Sequence, residues 1–177
     1  MRKALFLCGV ILLLALPAAA QDDYAKNISR MAYVQERFTE GEEVKFYLHG
    51  GIFGRYTRMI HKHVGIAGEY GVTWGEPFQL EALNQWTVGG VQLYAVNTER
   101  VQLYGQFLGG WDRLRMGEGQ GSSDNGGTIV LGGGVNLYFH HNVGVTFEAD
   151  YKSTWLFDSR QNVLQWRGGL VFRWGGQ

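Results

Sequence analysis

The segment from Val143 to Phe157 switches between apolar and polar side chains one residue at a time. Val143, Val145, Phe147, Ala149, Tyr151, Trp155 and Phe157 fall on one face. Gly144, Thr146, Glu148, Asp150, Lys152 and Thr154 fall on the other. Strand side chains point to opposite faces with period two, so this segment is a strand with one greasy and one charged face. It is also long. Soluble strands run about 5–6 residues, whereas a tilted strand crossing a bilayer needs about 9–11.

The N-terminus carries an export pattern. Arg2 and Lys3 precede an apolar run from Ala4 to Leu16, and Pro17-Ala18-Ala19-Ala20 offers a small-residue cleavage site before Gln21. The run is short for a membrane helix, which needs about 20 residues. Residues 1–20 are therefore expected to be a cleaved signal peptide, and 21–177 the mature domain. The single cysteine, Cys8, lies in the leader, so disulfides and thiol chemistry drop out of the mature chain.

Residues 21–177 keep 14 basic side chains, Arg2 and Lys3 lying in the leader, against 16 acidic ones. No basic run suggests nucleic-acid binding. No later stretch is apolar enough for a membrane helix, which is what alternating strands produce in a hydropathy window. Pro77 is the only proline after the leader, and proline is costly in a sheet.

The same alternation marks other strands, best defined over 44–174. Leu164, Trp166, Leu170, Phe172 and Trp174 oppose Gln165, Arg167, Gly169, Val171 and Arg173. Ile129, Leu131, Val135, Leu137 and Phe139 oppose Gly132, Gly134, Asn136 and Tyr138. Val101, Leu103, Phe107 and Trp111 oppose Gln102, Tyr104, Gln106 and Asp112. Val64, Ile66, Tyr70, Val72 and Trp74 oppose Glu69 and Thr73. Residues 86–96 change phase unless a bulge sits near Gly89-Gly90. Val44, Phe46, Leu48, Ile52 and Tyr56 oppose Lys45, Tyr47, His49 and Arg55. That makes seven strands. Bacterial membrane barrels usually have an even number, so an eighth is expected near Ile28–Phe38. Short turns at Asn97–Arg100 and His140–Asn142 alternate with expected longer loops at Gly75–Gln85, Arg115–Gly127 and Asp158–Asn162. The expected fold is all-β: an eight-stranded antiparallel up-and-down transmembrane β-barrel, with short turns on the periplasmic side.

Gly132-Gly-Gly-Val-Asn-Leu, Val143-Gly-Val-Thr-Phe-Glu-Ala-Asp-Tyr and Gly168-Gly-Leu-Val-Phe-Arg-Trp174 resemble the last three strands of the small outer-membrane β-barrel proteins, the OmpA-like and opacity-protein-like porin family. The resemblance spans roughly residues 86–174. It implies a Gram-negative outer-membrane location, with outer-membrane lipids and lipopolysaccharide as surroundings and the barrel-assembly machinery as a partner during insertion. Family members often end on an aromatic residue, whereas Gly175-Gly176-Gln177 follows Trp174 here.

An eight-stranded barrel is just wide enough for side chains to fill. The inward set on this phasing includes Lys45, His49, Arg55, Glu69, Glu148, Asp150, Lys152, Arg167 and Arg173, and charges in a narrow lumen must pair. The expected plug joins Glu148 and Asp150 to Arg167 and Arg173, with Lys152 and Glu69 nearby. Trp74, Trp86, Trp111, Trp155 and Trp174 are expected as interface anchors. The role implied is structural or surface-interactive, with no cofactor or metal; His61 and His63 alone make a weak metal site. Two rival readings stay open. One is a lipid A-modifying acyl hydrolase or acyltransferase, for which no His-aromatic-Ser motif is present. The other is a soluble periplasmic β-barrel holding a small ligand.

Overall fold

The computed structural model describes residues 24–40, 43–117, 122–157 and 159–175. The expected leader and its cleavage site lie outside the described residues. Nine strand segments follow one another: β1 (Asn27–Glu40), β2 (Glu43–Leu48), β3 (Gly50–His61), β4 (Val64–Gly75), β5 (Ala82–Asn97), β6 (Val101–Met116), β7 (Ser122–His140), β8 (Val143–Leu156) and β9 (Ser159–Trp174). β2 and β3 are halves of one stave, interrupted at His49, and both pair with β1. Each stave pairs antiparallel with the next, and β9 returns to β1 in unbroken register from Asn27↔Trp174 to Thr39↔Asn162. The result is a closed eight-stave up-and-down barrel.

Closure is quantitative. From Asn27 the register runs through Arg58, Ile66, Val91, Phe107, Leu131, Tyr151 and Leu164, and returns to β1 at Arg37, ten residues along. A shear of this size tilts the staves by about 40°. Every second side chain points into the lumen, and the others form an outer belt with large exposed apolar residues, among them Met31 (68% exposed), Ile52, Leu93, Phe107, Leu131 and Phe147. An apolar surface that encircles the molecule needs lipid rather than water around it.

The first stave is present over Asn27–Glu40, although both of its faces mix polar and apolar residues. Three expectations need correction. Lys45 and His49 are exposed on the outside rather than inward. The interruption at His49 reverses the phase, so that Leu48 and Gly51 are both buried while Ile52 and Tyr56 face out. No bulge occurs at Gly89-Gly90, where β4 and β5 stay in register; the irregularity lies between Tyr94 and Val96, against β6. Trp86 and Val88 are simply lumenal.

The expected long loops are mostly strand. Ser122 to Gly127 pair with Met116 to Trp111. Ala82 to Gln85 belong to β5, and Ser159 to Asn162 to β9. Backbone pairing needs no apolar side chain, so Gly, Ser, Asp and Asn extend the hairpins past the apolar belt. Residues 76–81 contain a 3-10 turn, Pro77–Gln79, with Phe78 at φ 57° and Gln79 at φ 63°. The chain ends lie with the turns 62–63, 98–100 and 141–142 at one end of the barrel, here the turn end; the other connections mark the far end.

Candidate functional site

The lumen is filled in layers. At the turn end, Ile28, Met59, Tyr94, Tyr104, Tyr138 and Val171 form an apolar and aromatic lid. Arg30 lies on it, 4.4 Å above the Tyr104 ring. Its guanidinium donates to Asn136 (3.2 Å), Thr57 (3.3 Å), Gln92 (3.1 Å) and the Tyr94 hydroxyl (3.0 Å). Its Nε is 3.8 Å from Glu148 Oε1.

A compact cluster follows. Arg167 reaches Glu69 (Nη2–Oε1 2.8 Å), Asp150 (3.1 Å) and Glu148 (3.4 Å). Arg55 reaches Glu69 (Nε–Oε2 2.7 Å) and Glu148 (Nη1–Oε2 2.9 Å). Gln106 donates to Asp150 at 2.6 Å, and Trp86 Nε1 to Glu69 at 2.6 Å. Three guanidiniums, Arg30, Arg55 and Arg167, thus face three carboxylates, all with fully buried side chains. Burial of this kind is tolerable only with such pairing. The register explains the core of it, because Glu148 stands directly opposite Arg167 across β8 and β9.

A second group sits toward the far end. Lys152 Nζ bridges Glu36 (2.7 Å) and Asp112 (2.8 Å). Glu36 also accepts from Asn84 (2.9 Å), Gln165 (2.5 Å) and the Thr73 hydroxyl. Trp86 packs between the two groups, with Lys152 Nζ 4.8 Å and the Arg167 guanidinium 5.8 Å from its ring. Phe38, Leu48, Ala82, Leu114, Leu156 and Val163 then cap the lumen at the far end. The charges are sealed between two apolar lids.

Of the residues expected in the plug, Glu148, Asp150, Arg167 and Glu69 come together, and Lys152 lies in the adjoining group. Arg173 does not join them. It lies six residues along β9 from Arg167, about 20 Å away. There it donates to the carbonyls of His141 (2.6 Å), Thr98 (3.3 Å) and Glu99 (2.6 Å) and stacks on Tyr138, tying two turns together. Arg30, Glu36 and Asp112 complete the clusters; Asp112 lies on the polar face that alternation gives its strand, whereas Arg30 and Glu36 do not stand out. Arg30 and Glu36 lie on β1, whose two faces differ little in hydropathy; their spacing of six residues along one face is the only signal.

Trp74, Trp111 and Trp155 face outward near the far end, and Trp174 does so at the turn end. Trp86 does not: it is 0% exposed and lumenal. Its indole N–H finds a carboxylate there, the partner that a buried tryptophan requires. Brominated acyl chains are therefore expected to spare the emission of a variant keeping only Trp86 and to quench one keeping only the outward Trp166. Quenching of the Trp86-only protein in brominated-lipid bilayers would contradict the assignment.

Candidate catalytic groups are scattered. Ser153 Oγ accepts from Arg160 Nε (2.7 Å), and Ser159 donates to the Leu156 carbonyl (3.2 Å). The His61 and His63 rings are 5.8 Å apart. Among the described residues, no group of three or more His, Cys, Asp or Glu could hold a metal ion.

The barrel has counterparts of known structure. Ail, the attachment invasion locus protein of Yersinia pestis, solved in complex with the heparin analogue sucrose octasulfate, is 20% identical, with 85% of this chain and 99% of Ail covered at a TM-score of 0.61. Neisserial surface protein A is 10% identical, with 85% and 98% covered at 0.67. The N-terminal β-barrel domain of Pseudomonas aeruginosa OprF is 11% identical, with 84% and 98% covered at 0.52. These likenesses concern the fold. No curated protein matches the sequence. Residues 6–172 match the family described as the outer membrane protein beta-barrel domain, and the chain belongs to that family of bacterial outer-membrane proteins.

Proposed function

We propose that this protein is a closed barrel with a structural and surface-interaction role, rather than a pore or an enzyme. The observation that carries this reading is the lumen itself: two ion-paired groups packed around Trp86 and capped by apolar residues at both ends. Water and ions passing through would have to break buried pairs whose loss costs about 3–5 kcal/mol each. In this reading the far end faces outward from the cell. It presents Arg113, Arg115 and Arg160, with Glu76 and Glu81 beside Arg115, and Phe78, which is 70% exposed. Such a rim suits an extended anionic or amphipathic ligand, and the complex of Ail with a polysulfated sugar supports that class by analogy of fold. Outer-membrane lipids and lipopolysaccharide surround the belt, and the barrel-assembly machinery inserts the chain.

The test is electrical. Purified protein in planar bilayers is expected to give current traces indistinguishable from protein-free bilayers. Stable, protein-dependent openings would overturn the closed-lumen reading.

A further inference from the structure

The turn between β3 and β4 brings two imidazoles together. The two strands pair in step as far as Met59↔Gly65, after which His61 rather than Ile60 stands opposite Val64. A one-residue bulge of this kind re-aims the side chain that follows it. His61 and His63 are both exposed at the turn end, and their ring centres are 5.8 Å apart. Metal–nitrogen bonds of about 2.0–2.1 Å put each ring centre about 3.2 Å from a shared ion, and the two centres about 4.5–6.4 Å apart for angles of about 90–180° at the ion. The observed separation falls inside that span.

His63 is held in one orientation. Its Nδ1 lies 2.7 Å from the Tyr94 carbonyl oxygen, which can only accept, so Nδ1 carries the proton of the neutral ring. The lone pair is therefore on Nε2. A backbone carbonyl bonded to one ring nitrogen is what fixes the tautomer and direction of a metal-ligating histidine. The backbone of the turn is pinned as well. Tyr94 N–H donates to the His63 carbonyl at 2.8 Å, and Asn97 Nδ2 donates to the Lys62 carbonyl at 2.5 Å. His61 Nδ1 accepts from the His63 N–H across 3.3 Å, a long and exposed bond that a metal–nitrogen bond can replace. Lys62, exposed between the two, repels a dication, and solvent screens that repulsion.

We propose that His61 and His63 bind a divalent transition-metal ion, copper(II) the tightest, on the periplasmic side of the barrel. Imidazole nitrogens suit copper, nickel and zinc, and copper(II) stands highest in the affinity order of such ions. Its tetragonal geometry accepts two imidazole nitrogens with water oxygens in the remaining positions. His63 ligates through Nε2, and His61 gives a ring nitrogen at the expense of the long bond to the His63 N–H. Two protein ligands select for ions that favour nitrogen and leave the site open to exchange. The site depends neither on the closed lumen nor on any ligand at the far end.

Copper(II) titration followed by electron paramagnetic resonance tests it, on untagged protein extracted from outer membranes into detergent, in a non-coordinating buffer at neutral pH. Wild type is expected to bind one copper(II) per barrel, with hyperfine splitting from two nitrogens. Asparagine at either position keeps the contact made by Nδ1, donating to the Tyr94 carbonyl or accepting from the residue 63 N–H, and removes the imidazole. His61→Asn and His63→Asn should each weaken binding about a hundredfold, because the second metal bond is intramolecular. Each should leave a signal from one nitrogen at most. A chain carrying both His140→Asn and His141→Asn, on another turn, should match wild type in affinity and spectrum. All variants should keep the heat-dependent gel shift of a closed barrel. Equal affinity in wild type, His61→Asn and His63→Asn would overturn the site and mean an adventitious ion only. So would a one-nitrogen signal in wild type, or loss of binding in the His140 and His141 variant.

Discussion

Replacing Arg167 with methionine is expected to lower the unfolding free energy of the refolded barrel by about 3–5 kcal/mol. The guanidinium contacts three carboxylates, and its Nη2 also donates to Gln165 Oε1 at 2.5 Å. Its removal leaves Glu69, Glu148 and Asp150 facing only Arg30 and Arg55. Methionine replaces much of the packing on Phe53, over which the guanidinium now lies at 4.4 Å, so the loss reports charge rather than volume. The readout is the urea midpoint followed by the heat-modifiable gel band. Adding Glu69→Gln to the same chain should recover part of the loss, because it restores the balance of two against two. A double variant no more stable than Arg167→Met alone would mean that the cluster does not act as a charge-balanced unit.

Trp86→Ala is expected to cost about 3–5 kcal/mol by the same assay. The ring is fully buried, and Gly71 is matched to it: a Cβ at Gly71 would lie 2.0 Å from the indole. Alanine leaves a cavity between the two charged groups and removes the donor to Glu69. Trp86→Phe separates these effects. It keeps most of the packing and loses only the hydrogen bond to a charged acceptor, for about 1.5–3 kcal/mol. If alanine and phenylalanine gave equal losses, the indole N–H rather than the ring volume would dominate this level of the lumen.

How legible the fold is in the sequence varies along the chain for physical reasons. β8 and β9 are legible because one face meets lipid and the other meets charge, so hydropathy tracks the pleat. β1 is not, because Ala32, Val34 and Phe38 point into the lumen while Gln35 and Arg37 point out. A narrow barrel fills its interior with whatever packs, so apolar does not mean outward. Trp86 is mistaken for an interface anchor for the same reason. The stave made of β2 and β3 misleads differently: its periodicity is genuine on each side of His49, but one break reverses the phase, and Lys45 and His49 change faces. The pairing of Glu148 with Arg167 could be anticipated from neighbouring strands. The convergence of Lys152, Glu36 and Asp112 could not, because the three lie on β8, β1 and β6 and meet only across the lumen.

The seam between β1 and β9 joins the two ends of the chain, and the lumenal charges make that join self-checking. Glu36 on β1 gathers donors from β4, β5, β8 and β9 at once. A seam slipped by one residue would turn Arg30 and Glu36 out into hydrocarbon. A slip of two would keep them inside but carry Glu36 about 6–7 Å from Lys152. Both mistakes strand a buried charge, and neither can be corrected by the rest of the wall, whose backbone ladder reads equally well in any register. The ionic interior is thus a combination that opens to one alignment, set only when the first and last strands of the chain have both arrived.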